Sequence, residues 1–238
     1  MKAVEKETIF ENQDQDSCFN KNEIIQKTAN YIKSRLDGEA SGHDWWHVYR
    51  VWRLAKYLAK VEQIDTFVVE LAALLHDIAD WKFHDGDESM GPKMARQWLE
   101  SLCVEKESID HVCQIIKDIS FKGAQVVTPM KSKEGMVVQD SDRLDAIGAV
   151  GIGRCFAYGG YKNNPMYDPD MEPIMHTSAQ NYKTNQSTSI NHFYEKLLLL
   201  KDRMNTDAAR VVAQERHAFM EQFLERFLLE WDGSHFGD

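Results

Sequence analysis

The stretch TFVVELAALLHDIAD, residues 66–80, decides the fold because it is apolar on nearly every side of a helix. Such a helix is usually buried, so we expect it to lie at the centre of the protein. His76 and Asp77 stand near its end, and an aspartate is rarely buried without a partner. That partner is either a divalent cation or the histidine itself; alternatively the pair ends the helix facing solvent.

Helical periodicity continues on both sides of this stretch and predicts an all-α fold. Residues 1–20 are polar and aperiodic, which indicates a loose N-terminal arm before one domain over residues 21–238. Residues 120–138 have room for a short hairpin, and residues 159–187 have the composition of a long ordered loop. The remaining helices are expected at 22–36, 44–61, 92–102, 105–119, 139–157, 188–204 and 207–230.

Composition excludes several classes of protein. The formal net charge of −10 over 238 residues argues against binding to nucleic acid, which needs a positive surface. No run approaches 18 apolar residues, and residues 1–10 lack the apolar region of a secretory signal, so we expect a cytoplasmic protein with no membrane span. The four cysteines form no CxxC pair, which disfavours a cysteine zinc site.

Two further segments place polar residues beside apolar helical stripes. In GHDWWHVYRVWRLA, His47 lies one turn from both His43 and Arg50, so the three share a face of the expected helix. In MVVQDSDRLDAIGAVGIG, Asp142 stands near the expected start of a helix whose Leu144, Ile147 and Val150 face the core. His47 could be a satisfied core residue. Asp142 could be an N-cap, a part that Asp140 could equally play.

Together, His47, His76, Asp77 and Asp142 come from three expected helices and supply two imidazoles and two carboxylates. A mixed nitrogen and oxygen set favours Mn, Mg, Fe, Co or Ni over a thiolate zinc site. Four protein ligands on an octahedral ion leave positions for water, as a catalytic metal requires.

The segments GHDWWHVYRV, LLHDIAD, ISFKG, QDSDRLDAIGAVGIGR and NHFYEKLLLLKDRMNT, taken in this order, resemble the HD-domain superfamily of metal-dependent phosphohydrolases. The resemblance spans roughly residues 42–223 and is to the stand-alone bacterial members, some of which are nucleoside-triphosphate pyrophosphohydrolases. It implies a single compact helical bundle. It also implies that His47, His76, Asp77 and Asp142 are the metal ligands, with His43 lining the site.

The resemblance also implies a role for Asp80, which stands where many relatives carry a carboxylate that orients or deprotonates the attacking water. Many cyclic-dinucleotide phosphodiesterases of the superfamily have lysine there, so HDIAD argues against that branch. Trp81 follows Asp80, so the chain also lacks the second carboxylate of the HDxxED form of guanosine-tetraphosphate hydrolases.

An acidic protein that hydrolyses a phosphate compound needs local cations, and Lys122, Arg50 and Lys82 are the candidates for binding substrate. Each could instead be a solvated surface charge. Asp145 follows Asp142 by one helical turn, so it either reaches the site as a supporting residue or is an ordinary surface or network carboxylate.

The leading hypothesis is hydrolysis of nucleoside or deoxynucleoside triphosphates to monophosphate and pyrophosphate by metal-activated water. The partner would be a small phosphorylated substrate, with a nucleotide favoured. A nucleotide monophosphatase or small phosphodiesterase would share the same metal chemistry. A non-catalytic regulatory protein that binds metal and nucleotide is the alternative from another class.

Overall fold

The computed structural model describes residues 19–36, 44–79, 89–119, 128–175 and 187–233. Within these residues the regular elements are all helical, which confirms the predicted all-α class. In chain order they are α1 (Lys21–Arg35), α2 (Trp45–Val61), α3 (Thr66–Leu75), α4 (Met90–Ser101), α5 (Lys106–Asp118), α6 (Lys133–Asp145), α7 (Gly148–Tyr161), α8 (Ser189–Glu195), a 3₁₀ helix (Leu197–Arg203) and α9 (Asp207–Trp231).

Helix α3 lies at the centre, as its apolar sequence predicts. It packs against α1, α2, α5 and α6, and eight of its ten residues are buried. Helix α2 packs against both α3 and α6. The apolar stripe predicted for α2 is buried throughout and consists of Val48, Val51, Trp52, Ala55, Leu58 and Ala59. These contacts bring the start of α2 next to the ends of α3 and α6.

The prediction of one helix over residues 139–157 is wrong. Helix α6 begins at Lys133, where Ser132 caps its first turn, and ends at Asp145, before α7 starts at Gly148. Gly148, the first residue of α7, has φ +78°, outside the right-handed helical range, so a single helix cannot run through it. Asp142 is consequently in the last turn of a helix and not at its start. Val150, expected in the core, is 46% exposed.

Other predicted boundaries shift as well. Helix α3 ends at Leu75, and residues 76–79 form turns. The helix predicted over 188–204 is divided at Lys196 into α8 and the 3₁₀ helix. Of the predicted loop, residues 159–161 belong to α7 and 162–175 are irregular. The rest of that loop up to residue 186, the segment 120–127 and nearly all of the predicted N-terminal arm lie outside the described residues.

The longest helix, α9, is rich in charged residues along its length. Across the described ranges, none of the helices combines the length and the apolar character needed to cross a bilayer.

Candidate metal centre

Three helices carry the polar cluster that the sequence singled out. His47 lies in the first turn of α2, where its backbone N–H donates to the Asp44 side chain at 2.9 Å. His76 is the C-cap residue of α3, Asp77 follows it, and Asp142 lies in the last turn of α6. The packing of α2 against α3 and α6 therefore brings these side chains together.

The four side chains converge on one point. Nε2 of His47 is 3.2 Å from Nε2 of His76, 3.2 Å from Oδ2 of Asp77 and 3.5 Å from Oδ1 of Asp142. Nε2 of His76 is 3.4 Å and 3.9 Å from the same two carboxylate oxygens. The ligand atoms of His47, His76 and Asp142 all lie within 4.8 Å of one another. The structure thus contains a His/His/Asp group with the spacing of a metal site.

The cluster is closed on the histidine side and more open on the carboxylate side. The His47 side chain is fully buried and that of His76 is 2% exposed, whereas that of Asp142 is 36% exposed. A bound ion would therefore be held from the protein interior and approached from the Asp142 side.

Hydrogen bonds fix which nitrogen of each histidine faces the cluster. Nδ1 of His76 lies 2.8 Å from the carbonyl oxygen of Ala73, which can only accept, so Nδ1 carries the proton. Nδ1 of His47 lies 2.8 Å from Oδ2 of Asp145 and donates to that carboxylate in the same way. Both Nε2 lone pairs then point at each other and at two carboxylates. A metal ion or a proton between them relieves this arrangement.

The pKa of His47 also indicates that its surroundings favour a positive charge. Burial lowers this pKa, but hydrogen bonds to Asp145 and Asp77 outweigh burial and raise the pKa above its ordinary value. Without a metal, a proton supplies this charge. With one, the proton must leave, because a ligating imidazole is neutral.

Asp145 supports the cluster by contacting Nδ1 of His47, on the opposite side of the ring from the ligand atom Nε2. Its side chain is almost fully buried and accepts from Arg50 at 2.7 and 3.0 Å, from Arg154 at 2.8 Å and from His47. Burial alone would raise the pKa of Asp145, but the hydrogen bonds from His47 and Arg50 and the charge of Arg154 hold it well below its usual range. The sequence leaves open whether Asp145 reaches the site, and it does not single out Arg154.

The donor set fits a divalent cation. Two imidazole nitrogens and two carboxylate oxygens suit octahedral Mn, Fe, Co or Ni, and the oxygens also suit Mg. At bond lengths of about 2.1 Å, two nitrogen ligands stand about 3.0 Å apart in cis octahedral geometry and about 3.4 Å apart in tetrahedral geometry. The observed separation of 3.2 Å between the two Nε2 atoms lies between these values.

The remaining predicted site residues divide into two groups. Arg50 is bound to Asp145 and lies behind His47, away from the ligand atoms, and its assignment as a substrate cation stays a prediction. His43, Asp80, Lys82 and Lys122 lie outside the described residues, and their roles also stay predictions.

A family model described as HD domain matches residues 45–147. The match begins with α2 and ends at the break between α6 and α7, so it includes every residue of the cluster. The uncharacterized protein YpgQ of Bacillus subtilis is 42% identical over 203 residues, which cover 84% of this chain and 90% of YpgQ.

Solved structures resemble the whole described fold. A crystal structure of YpgQ in complex with ADP has a TM-score of 0.68 and 39% identity, and the match covers 87% of this chain and 96% of YpgQ. An HD-superfamily hydrolase from Bacillus thuringiensis has a TM-score of 0.70 and 46% identity over 90% of this chain and 99% of its own. A Lactobacillus plantarum protein has a TM-score of 0.78 and 36% identity over 89% and 98%.

Proposed function

The chain belongs to the HD-domain family of metal-dependent phosphohydrolases, and from this premise we propose that it hydrolyses nucleoside or deoxynucleoside triphosphates to monophosphate and pyrophosphate. The observation that carries the proposal is the convergence of His47, His76, Asp77 and Asp142 on one point with an exposed side. The complex of the relative YpgQ with ADP supports a nucleotide as the substrate.

In this proposal, His47, His76, Asp77 and Asp142 hold one divalent ion, with Mn, Mg, Fe, Co and Ni as the candidates. A bound ion supplies a water of lowered pKa and polarises a phosphoryl oxygen. Asp145 keeps the Nδ1 proton on His47 and so keeps its Nε2 free to bind the ion. Arg50 and Arg154 keep Asp145 ionised while it does so.

The first experiment is a panel of nucleoside mono-, di- and triphosphates with Mn, Mg, Co or Ni, in which the products are identified. We expect triphosphates to give monophosphate and pyrophosphate, because attack is proposed at the α-phosphorus. Orthophosphate as the sole released phosphate would contradict this and favour a phosphatase. If no nucleotide is hydrolysed, the protein is better described as a regulatory binder of metal and nucleotide.

Asp77→Ala should abolish hydrolysis while the far-ultraviolet circular dichroism stays that of the wild type. The change removes a carboxylate that lies 3.2 Å from Nε2 of His47, at the surface-facing side of the cluster. Asp202→Ala is the matched control, since Asp202 is an exposed aspartate beyond α8. Retained turnover in the Asp77 variant would refute the assigned metal site.

Asp80→Asn tests the residue predicted to orient or deprotonate water. We expect turnover to fall by about 10²–10⁴-fold, the usual contribution of a general base, while metal affinity is unchanged because Asp80 is not assigned as a ligand. Metal affinity is measured by titration calorimetry and turnover by pyrophosphate release. Equal losses of metal binding and turnover would instead make Asp80 a ligand.

A further inference from the structure

A groove of about 760 Å³ lies beside the metal cluster, between α2, the first turn of α7 and α9. Its volume is within the range of about 300–1,000 Å³ that small-molecule sites occupy. Most of the residues that line the groove have no role in the proposed hydrolysis. The residues that line the groove indicate what kind of ligand it could bind.

Positive charge predominates among the described residues of the groove. Arg50, Arg53 and Arg216 line it, against the carboxylates of Asp145 and Glu215. Arg50 and Asp145 are bonded to each other and largely cancel, so the charge that remains for a ligand is that of Arg53 and Arg216 against Glu215. Arg53 is exposed, and its guanidinium lies 6.0 Å from the centre of the Tyr49 ring. In a chain of net charge −10, this local excess of positive charge favours an anion.

The start of α7 adds to the positive potential. Residues 147–150 line the groove, and α7 continues for 14 residues. Ile147 precedes the helix and, being apolar, cannot accept hydrogen bonds from the N–H groups of its first turn. Those N–H groups and the helix dipole favour an anion at this end.

Two exposed aromatic side chains also line the groove. Tyr57 from α2 is 56% exposed and Phe219 from α9 is 48% exposed, and both line it. Exposed rings beside arginines suit a ligand that has both a planar ring and a phosphate. We propose that this groove is a second binding site, separate from the metal centre, and that it takes a nucleoside phosphate.

In this site, the phosphate lies against Arg53 and the first turn of α7, and the base lies against Tyr57 and Phe219. The ligand does not need the metal. Asp145 contacts Nδ1 of His47, whereas the cluster forms around Nε2 of the same ring. Arg50, which lines the groove, bonds the Asp145 carboxylate on the Nδ1 side of the His47 ring. The His47 ring therefore lies between the groove and the ligand atoms.

The test is calorimetric titration of AMP into the full-length protein in EDTA, with folding checked by circular dichroism. We expect binding to persist in EDTA and in Asp77→Ala, because neither change touches the groove. Arg53→Gln should weaken binding by about tenfold or more, the value of a lost hydrogen bond to a charged group. Lys60→Gln is the matched control on α2, since Lys60 is exposed and does not line the groove.

The proposal is overturned if AMP binding requires metal, if Asp77→Ala removes it, or if the two α2 variants behave alike. Inorganic phosphate is titrated as a second probe, and binding as tight as that of AMP would refute the contribution of the rings. Sedimentation velocity tests whether the groove is instead an interface between copies of the chain. If Phe219→Ala changes the oligomeric state and AMP does not bind, the groove is an interface between copies of the chain. None of these outcomes depends on which nucleotide is hydrolysed.

Discussion

Asp145 contacts both a histidine of the metal cluster and two arginines. One carboxylate accepts from His47, Arg50 and Arg154 and is almost fully buried. A buried carboxylate with three cationic or polar donors stays ionised, which keeps the Nδ1 proton on His47. The charge state of Asp145 therefore determines which His47 nitrogen can bind an ion.

Asp145→Asn should lower the affinity for Mn²⁺ by about 10–100-fold, the usual effect of losing the outer partner of a ligating histidine. An amide can donate to Nδ1 of His47, which would move the ring proton to Nε2 and block the ligand atom. Titration calorimetry with Mn²⁺ measures the change, and Asp202→Asn serves as the exposed control. Equal affinities in the two variants would show that Asp145 does not position His47.

At the scale of elements, helix α6 carries Asp142, and its C-terminal half is tied to the 3₁₀ helix and to α9. Asp140 accepts from the backbone and side chain of Asn205 and of Thr206, each at 2.8 Å, and so fixes the start of α9. Arg143 donates to the carbonyl oxygen of Arg203, and Arg216 of α9 donates to that of Leu144. These bonds hold the last turn of α6, and Asp142 with it.

The break between α6 and α7 should be sensitive to the residue at position 148. Gly148→Ala should lower the free energy of unfolding by about 1–2 kcal/mol, because a side chain at φ +78° is strained and its Cβ would lie 2.9 Å from Cγ of Arg216. Gly153→Ala is the control inside α7, since its Cβ would meet no described heavy atom within 4 Å.

Gly153→Ala should raise that free energy by about 0.5–1 kcal/mol, because alanine loses less backbone entropy than glycine in a helix. Urea unfolding followed by circular dichroism measures both variants. Shifts of the same sign would contradict the assignment of Gly148 as a conformationally required glycine.

At the scale of the molecule, an acidic chain gathers its cations beside the metal cluster. The net charge of −10 disfavours long polyanions, whereas four arginines lie on the α2, α7 and α9 side of Asp145: Arg50, Arg53, Arg154 and Arg216. A metal ion at one site and arginines at the other can each hold a small anion in such a protein. Because the cluster joins three helices, an ion bound there should also stabilise the whole fold.

Adding Mn²⁺ to a free concentration about 100 times its Kd should raise the free energy of unfolding by about 2.7 kcal/mol. For a chain of this size that corresponds to a rise in Tm of about 5–10 °C. Differential scanning calorimetry with and without EDTA measures the shift. It should vanish in His76→Ala and persist in His111→Ala, because His111 lies on α5 and contacts Ser132 instead of the cluster.

The amino-acid sequence by itself determined the all-α class, the buried central helix, the stripe of α2 and the set of polar residues that converge. The helical features depend on the spacing of apolar residues, which is local, and the polar set depends on the rarity of buried charge and on the resemblance to the HD-domain superfamily. Only the tertiary structure decided the break at Gly148, because glycine adopts either sign of φ and the sequence does not say that φ is +78° there. It alone also decided the position of Asp145, whose partners His47 and Arg50 stand 98 and 95 residues away in the chain. Pairings over that distance leave no periodic signal in the sequence.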